Sequence, residues 1–331
     1  MKSLSLIFTL FFIFSSFSQS IRFNEIVSSN SSYTDDDGET NDWIEFYNPT
    51  DETINLKSWY LSDEKDDLKK WQFPDIQIKS GEFLIVFASD KNKSSKFLHT
   101  NFKISSKGET LFLSNENEEL TDEITIPLLL TDVSYGISIT NDAKVYYSDP
   151  TPGYQNSINE FLGITDSVLE FSHPGGIVDD KVNLSINGIK EGETIRYTTD
   201  KSVPKIDSQK YDNPIIINET KVIRAKIFKE DYISNYDQSK TFIFNADHSI
   251  SIVSLVSEPD NFFSEESGIY VYGNNASSSW PYFGANFWKD IEIPVHLEYF
   301  KNQELVAKFD VGTKIHGGKQ LEVNLLKHCA C

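Results

Sequence analysis

The sequence predicts a mainly β protein, and three observations carry that reading. Helical periodicity is almost absent along the chain, so no long amphipathic helix organises it. Short apolar runs alternate with polar residues at period two, as in "GEFLIVFAS", "ETLFLSNENEEL", "DKVNLSINGI" and "TKVIRAKIF", the pattern of strands with one face turned inward. Clusters of Asn, Asp, Gly and Ser punctuate these runs as turns do. At 331 residues there is room for two or three domains. Two junctions divide them: the Pro/Gly cluster "SDPTPGYQNS" (148–157), and "FNADHSISIVSL" (244–255), where a new apolar run begins. The expected segments are 1–20, 21–157, 158–246, 247–318 and 319–331.

The first twenty residues place Lys2 before an apolar run, Leu4 to Phe14, followed by small residues. That is the layout of a secretory signal peptide, with cleavage expected after Ser20, and the run is too short to span a bilayer. A retained anchor is the alternative. The expectation is a secreted or cell-surface protein with no membrane span after cleavage. A net charge of -20 argues against nucleic acid as a partner, because a phosphate backbone needs clustered Lys and Arg. An exported chain could use disulfides, yet residues 21–328 contain no Cys, so hydrophobic burial must hold these domains.

In the first segment, "DDDGETNDWIEFYNP" (35–49) sets an acidic turn before an alternating strand. A calcium loop in the EF-hand register puts Gly38 at position 6, Asp35 at 3, Asp37 at 5 and Glu39 at 7. Positions 1 and 12 then fall on Tyr33 and Ile44, where carboxylates are required. That register fails. A solvated acidic turn is expected instead, with a looser cation site left open. The pieces "FNEIVSSNSS", "DGETNDWIEFYNP", "INLKSWYLSDE", "KWQFPD", "IKSGEFLIVFASDKN", "LHTNFKISSKGETLFLSNENEEL", "DVSYGI" and "DPTPGYQNS" together resemble the lamin tail domain, over 23–157. The resemblance implies an immunoglobulin-like β-sandwich that adheres or scaffolds, with no catalytic residues. Trp43, Trp59 and Trp71 form either a sugar-stacking face or, as expected here, buried core; His99 is expected to be structural.

The second segment carries "IRYTTDKSVPK…Y…PI.I…T.VIRAKIFK..Y", with strands expected near 194–198, 214–218 and 221–228. Pro204 stops the first of them, since proline cannot donate to a ladder. Over about 168–245 it resembles the small fibronectin-like β-sandwich at the C-terminus of chitobiase and hexosaminidase enzymes. The resemblance implies a spacer or accessory role without glycosidase activity. Tyr197 and Tyr211 are read as structural rather than sugar-binding.

In the third segment, "VSLVSEPDNFFSEESGIYV", "W.KDIEIPVHLEYF" and "G.KIHGG" resemble the opening of the spore-coat-protein-H (CotH) family of atypical kinases, over about 250–318. The resemblance implies an incomplete α+β kinase-like domain. Lys314, His316, Gly317 and Gly318 are then nucleotide-binding candidates, since a Gly-Gly after a strand lets backbone N–H groups approach phosphate. The Walker pattern is not met, and a solvent-facing strand end is the other reading of Lys314 and His316. The family's metal-binding aspartates lie downstream of this motif. ATP and Mg²⁺ or Mn²⁺ are therefore implied only for an intact parent; for this chain no cofactor, catalytic residue or metal site is expected.

After Gly318 the family continues with S-R-S-x-P-Q-K-S-L-R, whereas here "KQLEVNLLKHCAC" follows. Back-translated two bases out of register, that text can encode a family-like continuation, so 319–331 is read as a frameshifted tail and the kinase-like domain as truncated. His328, Cys329 and Cys331 fall short of the four ligands of structural zinc. The expected protein is an exported, non-catalytic fragment of a CotH-like kinase. Adhesion or scaffolding and a part in carbohydrate processing are the alternatives, with an extracellular protein or polysaccharide as partner. Apolar strands such as 291–300 are expected to be exposed.

Overall fold

Strands form where the alternating runs place them. The computed structural model describes residues 20–244, 251–302 and 304–315; the expected signal peptide, the Gly-Gly motif and the ending lie outside these residues. The chain divides into two compact units between Leu162 and Gly163. Among the described residues no helix is long and apolar enough to cross a membrane.

In the first unit, "RFNEIV" forms β1 (Arg22–Val27) and "WIEFY" forms β2 (Trp43–Tyr47). Next come β3 (Ile54–Asn55), β4 (Tyr60–Ser62), β5 (Trp71–Gln72), β6 (Gln77–Ile78) and β7 (Phe83–Phe87). The unit continues with β8 (Leu98–His99), β9 (Glu109–Ser114), β10 (Leu120–Ile126), β11 (Ser134–Ile137) and β12 (Lys144–Tyr147). A six-stranded sheet runs β12-β11-β1-β2-β7-β8, and a four-stranded sheet runs β10-β9-β4-β5. Phe46 of the larger sheet meets Phe73, just past β5, edge to face at 5.2–5.4 Å spacing within the trio Phe23, Phe46 and Phe73. This is the aromatic filling of a two-layer sandwich. Trp43, Trp59 and Trp71 are all buried, which agrees with their reading as core rather than as a sugar-stacking face.

The second unit begins with a smaller sandwich. The strand Glu193–Thr198 alternates buried and half-buried residues, and pairs with Lys221–Lys229 along its whole length. Ile195, Tyr197, Ile223, Ala225, Ile227 and Phe242 fill its core. Tyr211 packs against that core and its hydroxyl accepts the Ile186 N–H at 3.0 Å, so both tyrosines hold structure. Buried Arg224 donates two hydrogen bonds to Asp237, at 2.7 and 2.9 Å, and one to the Lys201 carbonyl at 2.8 Å. It thereby fixes the turn before Pro204.

The third segment contributes an antiparallel sheet of Ile252–Val256, Ile293–Lys301 and Glu304–Thr313, with one short helix, Pro259–Phe263. Its central strand is not exposed, contrary to the sequence expectation. Ile293, Val295 and Phe300 are buried, and fully buried Glu298 accepts the Thr241 backbone N–H of the small sandwich at 3.1 Å. Ile293 and Val295 pack on Phe262 and Ile269 of the same segment, while Glu298 is capped from the small sandwich. The exposed apolar groups lie instead at Phe263 on the helix, at Tyr272, Trp280 and Phe283 in the loops, and at Val253, Val306 and Phe309 on the flanking strands.

Candidate functional site

The outer face of the six-stranded sheet is organised in three rungs. Side chains alternate along a strand, so Trp43, Glu45 and Tyr47 share one face of β2. The ladders pair Tyr47 with Arg22 and Phe83, Glu45 with Glu25 and Ile85, and Trp43 with Val27 and Phe87. A bulge between Phe23 and Glu25 keeps β1 in step. The face therefore reads, from one end to the other, as a cation–aromatic rung, an acidic rung and an apolar rung.

The acidic rung is the unusual one. Glu25 and Glu45 stand directly opposite one another and both are fully buried, an arrangement that costs stability unless donors satisfy it. The donors come largely from the Pro/Gly cluster at 148–157. Thr151 donates its backbone N–H at 2.9 Å and its hydroxyl at 3.1 Å to Glu25 Oε2, while Ser134 donates to Oε1. Gly153 N–H donates to Glu45 Oε2 and Asn24 Nδ2 to Oε1 at 2.7 Å. Asn156 completes the clasp: its Oδ1 accepts from Asn24 at 2.8 Å, and its amide donates to the carbonyls of Asn24 and Ile137. Gly136, opposite Glu25, leaves the room this needs, because a Cβ there would stand 2.4 Å from the Asn24 carbonyl oxygen.

Burial pushes the Glu45 carboxyl up to about 8; the Gly153 and Asn24 donors oppose the shift and neighbouring Glu25 adds to it. Glu25 is raised as well, again by burial. Paired carboxylates with separated acidities are what acid–base catalysis uses, but here no substrate can reach them. Their chemistry is spent on holding the 148–157 segment against the sheet.

The acidic turn lies beyond the apolar rung. Asp36, Asp37, Gly38 and Glu39 are exposed, as expected of a solvated turn, whereas Asp35 is buried. Burial opposes its charge, but the Lys91 ammonium at 2.6 Å and donors from Glu39, Asn41 and Asp37 outweigh that and hold it well below the usual aspartate range. Lys91 also reaches Asp37 at 2.6 Å and Glu39 at 3.0 Å, and Lys93 reaches Asp37 at 2.6 Å. Asp36 is held low by Ser95 and then His99.

Asp35, Asp36 and His99 bring ligand atoms close enough to share a metal ion. Lys91 already pairs with Asp35, and Lys93 with Asp36 at 3.5 Å, so these carboxylates fit a structural ion-pair cluster better than a metal. His99 itself bridges Ser89 Oγ and Asp36 Oδ1, at 2.9 Å each, and stacks on Phe87 at 5.5 Å. The array has the composition of a nucleophilic triad, but Ser89 and His99 are both buried, and a serine closed to substrate is no nucleophile. It ties the acidic turn to the loop after β7, the structural part expected of His99.

Of the nucleotide-binding candidates, Lys314 is described: its ammonium donates to Asp290 at 2.7 Å, which raises its pKa. His316, Gly317 and Gly318 lie outside the described residues. The buried glutamates were missed in the sequence, although "FNEIV" and "WIEFY" each set a carboxylate inside an otherwise apolar strand.

Two family models match. Residues 15–127 match the Lamin Tail Domain, and residues 173–239 match the Chitobiase/beta-hexosaminidase C-terminal domain. The first match ends before β11, β12 and the clasp, which complete the six-stranded sheet. The second spans most of the small sandwich, including Arg224 and Asp237. A search of the curated proteins finds no match. The chain is thus a multidomain, β-rich protein with one module similar to each of these families.

Proposed function

We propose that this chain is an exported, cell-surface protein that adheres or scaffolds, and that its third segment derives from the opening of a CotH-like kinase domain. The observation that carries the non-catalytic part is the burial of both catalytic-looking constellations. Glu25 with Glu45, and Ser89 with His99, are closed to substrate and serve the fold. The two sandwich modules support a scaffold, and the apolar run from Leu4 to Phe14 supports export. The kinase ancestry rests on the spacing of "VSLVSEPDNFFSEESGIYV", "HLEYF" and "KIHGG". The exposed Phe263, Trp280 and Phe283 support it too, as surface that a larger domain would bury.

Incubating the full chain with labelled ATP and Mg²⁺ or Mn²⁺ is expected to give no incorporation of phosphate; clear labelling overturns the non-catalytic reading. Fractionating producing cells tests the location, with the protein expected at the surface or in the medium and a cytoplasmic pool counting against it. The carbohydrate-processing reading is favoured by one observation, the chitobiase-type module at 173–239. There the protein would be an accessory to a separate enzyme.

A further inference from the structure

The three-stranded sheet of the third segment ends on Glu304–Thr313, and among the described residues no strand pairs with its outer side. At ten residues this is a long edge to leave open, because a row of backbone N–H and C=O groups is a template for another strand. Other edges of the chain are short: β5, β8 and Gln209–Lys210 each end a sheet with two residues. The open strand also exposes Val306 and Phe309, and it has no proline to interrupt a ladder. Its pairing with the inner neighbour is regular from Ala307 to Thr313.

We propose that this edge pairs antiparallel with the same edge of a second copy, joining two three-stranded sheets about a two-fold axis at Phe309. The charges select both the partner and the register. Antiparallel rungs alternate between two hydrogen-bonding types, so a strand meeting its own copy sets odd-numbered residues opposite odd and even opposite even. With Phe309 opposite itself, Lys308 faces Asp310 of the second copy and Asp310 faces its Lys308. Glu304, at the start of the strand, stands opposite Lys314, just past its end. Every charged residue of the strand thus meets its opposite. The smallest allowed slip moves the axis to Lys308 or to Asp310. Either one sets like charges face to face, which is destabilising.

The contact continues an alternation already present within each copy. Buried Glu298 is the inner neighbour of Lys308, and His296 is that of Asp310, to whose Oδ1 its Nδ1 donates at 2.7 Å. A rung across the joined sheet therefore runs Glu298, Lys308, Asp310, His296, with an acid beside a base at each step. A lysine in mid-edge ordinarily keeps foreign strands away. Here Asp310, two residues on, makes that same charge a key that a second copy fits. Each chain has one such edge and the contact is isologous, so assembly closes at two. A dimer carries each sandwich module twice, which serves a scaffold, but the pairing does not rest on that reading.

The test is sedimentation equilibrium of the full chain, with hydrogen exchange of its backbone amides at low and high protein concentration. A reversible monomer–dimer equilibrium is expected, with protection of residues 304–313 rising with concentration. Lys308→Asp and Asp310→Lys each set like charges in both halves of the contact and are expected to weaken the dimer roughly tenfold or more. Combining the two restores opposite charges and is expected to restore the dimer. Exposed Glu304→Lys is expected to weaken it less, without moving the melting temperature. Lys308→Asp also removes the base beside Glu298; should it unfold, Glu304→Lys and the exchange pattern decide. A chain that stays monomeric or forms species larger than a dimer overturns the proposal. So does a dimer whose added protection lies at the aromatic residues of 263–288, or one indifferent to Glu304→Lys and to the charge exchange.

Discussion

Glu25 and Glu45 are met within the sheet by neutral donors from Asn24, Ser134, Thr151 and Gly153. Asp35 and Asp37, in the turn before β2, share the ammonium groups of Lys91 and Lys93 instead. Both clusters join distant parts of the first unit through carboxylates, yet their acidities move in opposite directions. Burial without a cation drives Glu45 up, while lysine contact drives Asp37 down, and Asp35 with it against its own burial. The partner, more than burial alone, decides how a carboxylate titrates.

The largest effect is expected at Glu25. Glu25→Ala removes the acceptor for Ser134 and for both Thr151 donors, and buried donors left unpaired are costly. A loss of about 3 kcal/mol is expected in urea unfolding of the first unit. Gly136→Ala tests the same clasp without touching a charge. Its Cβ would strike the Asn24 carbonyl and crowd the Asn156 amide, so about 1–3 kcal/mol is expected by the same measurement. Equal stability of this variant and the unaltered protein would mean the clasp is slack.

The lysine-bound cluster should respond less and with the opposite sign. Its depressed acidities mean stability is fully present above the ordinary aspartate value of about 3.8 and is lost as pH falls below it. Lys91→Met should raise the pH of acid unfolding, read by far-UV circular dichroism. In the unaltered protein a chelator should leave the melting temperature unchanged, because Lys91 and Lys93 already pair with these carboxylates; a clear drop would assign a metal to Asp35, Asp36 and His99.

The strands of the first sandwich and its tryptophan core were legible because period-two alternation reports burial of one face directly. The glutamate pair was not, because the same alternation assigns a charged strand residue to solvent. Its burial arises from a segment 126 residues away, where Thr151 returns to cover Glu25. Asp35 was misread for the same reason: its partner Lys91 lies 56 residues downstream. The partner of buried Glu298 likewise lies in a different segment, at Thr241. Local pattern gives the strands, whereas the partner of each buried charge is set by topology.

The direct measurement is urea unfolding of the first unit between about pH 5 and pH 9, for the unaltered protein and for Glu45→Gln. A carboxyl raised from about 4.5 to about 8 on folding binds its proton more tightly in the folded state. Its contribution is therefore fully present below the unfolded value and lost as pH rises towards about 8. The unaltered protein is expected to lose stability steadily over this range. Glu45→Gln, weakened at the outset by one mismatched hydrogen bond, should show a flatter profile. An unaltered protein whose stability does not change with pH, or a Glu45→Gln variant that declines in parallel with it, would contradict the buried acidic clasp.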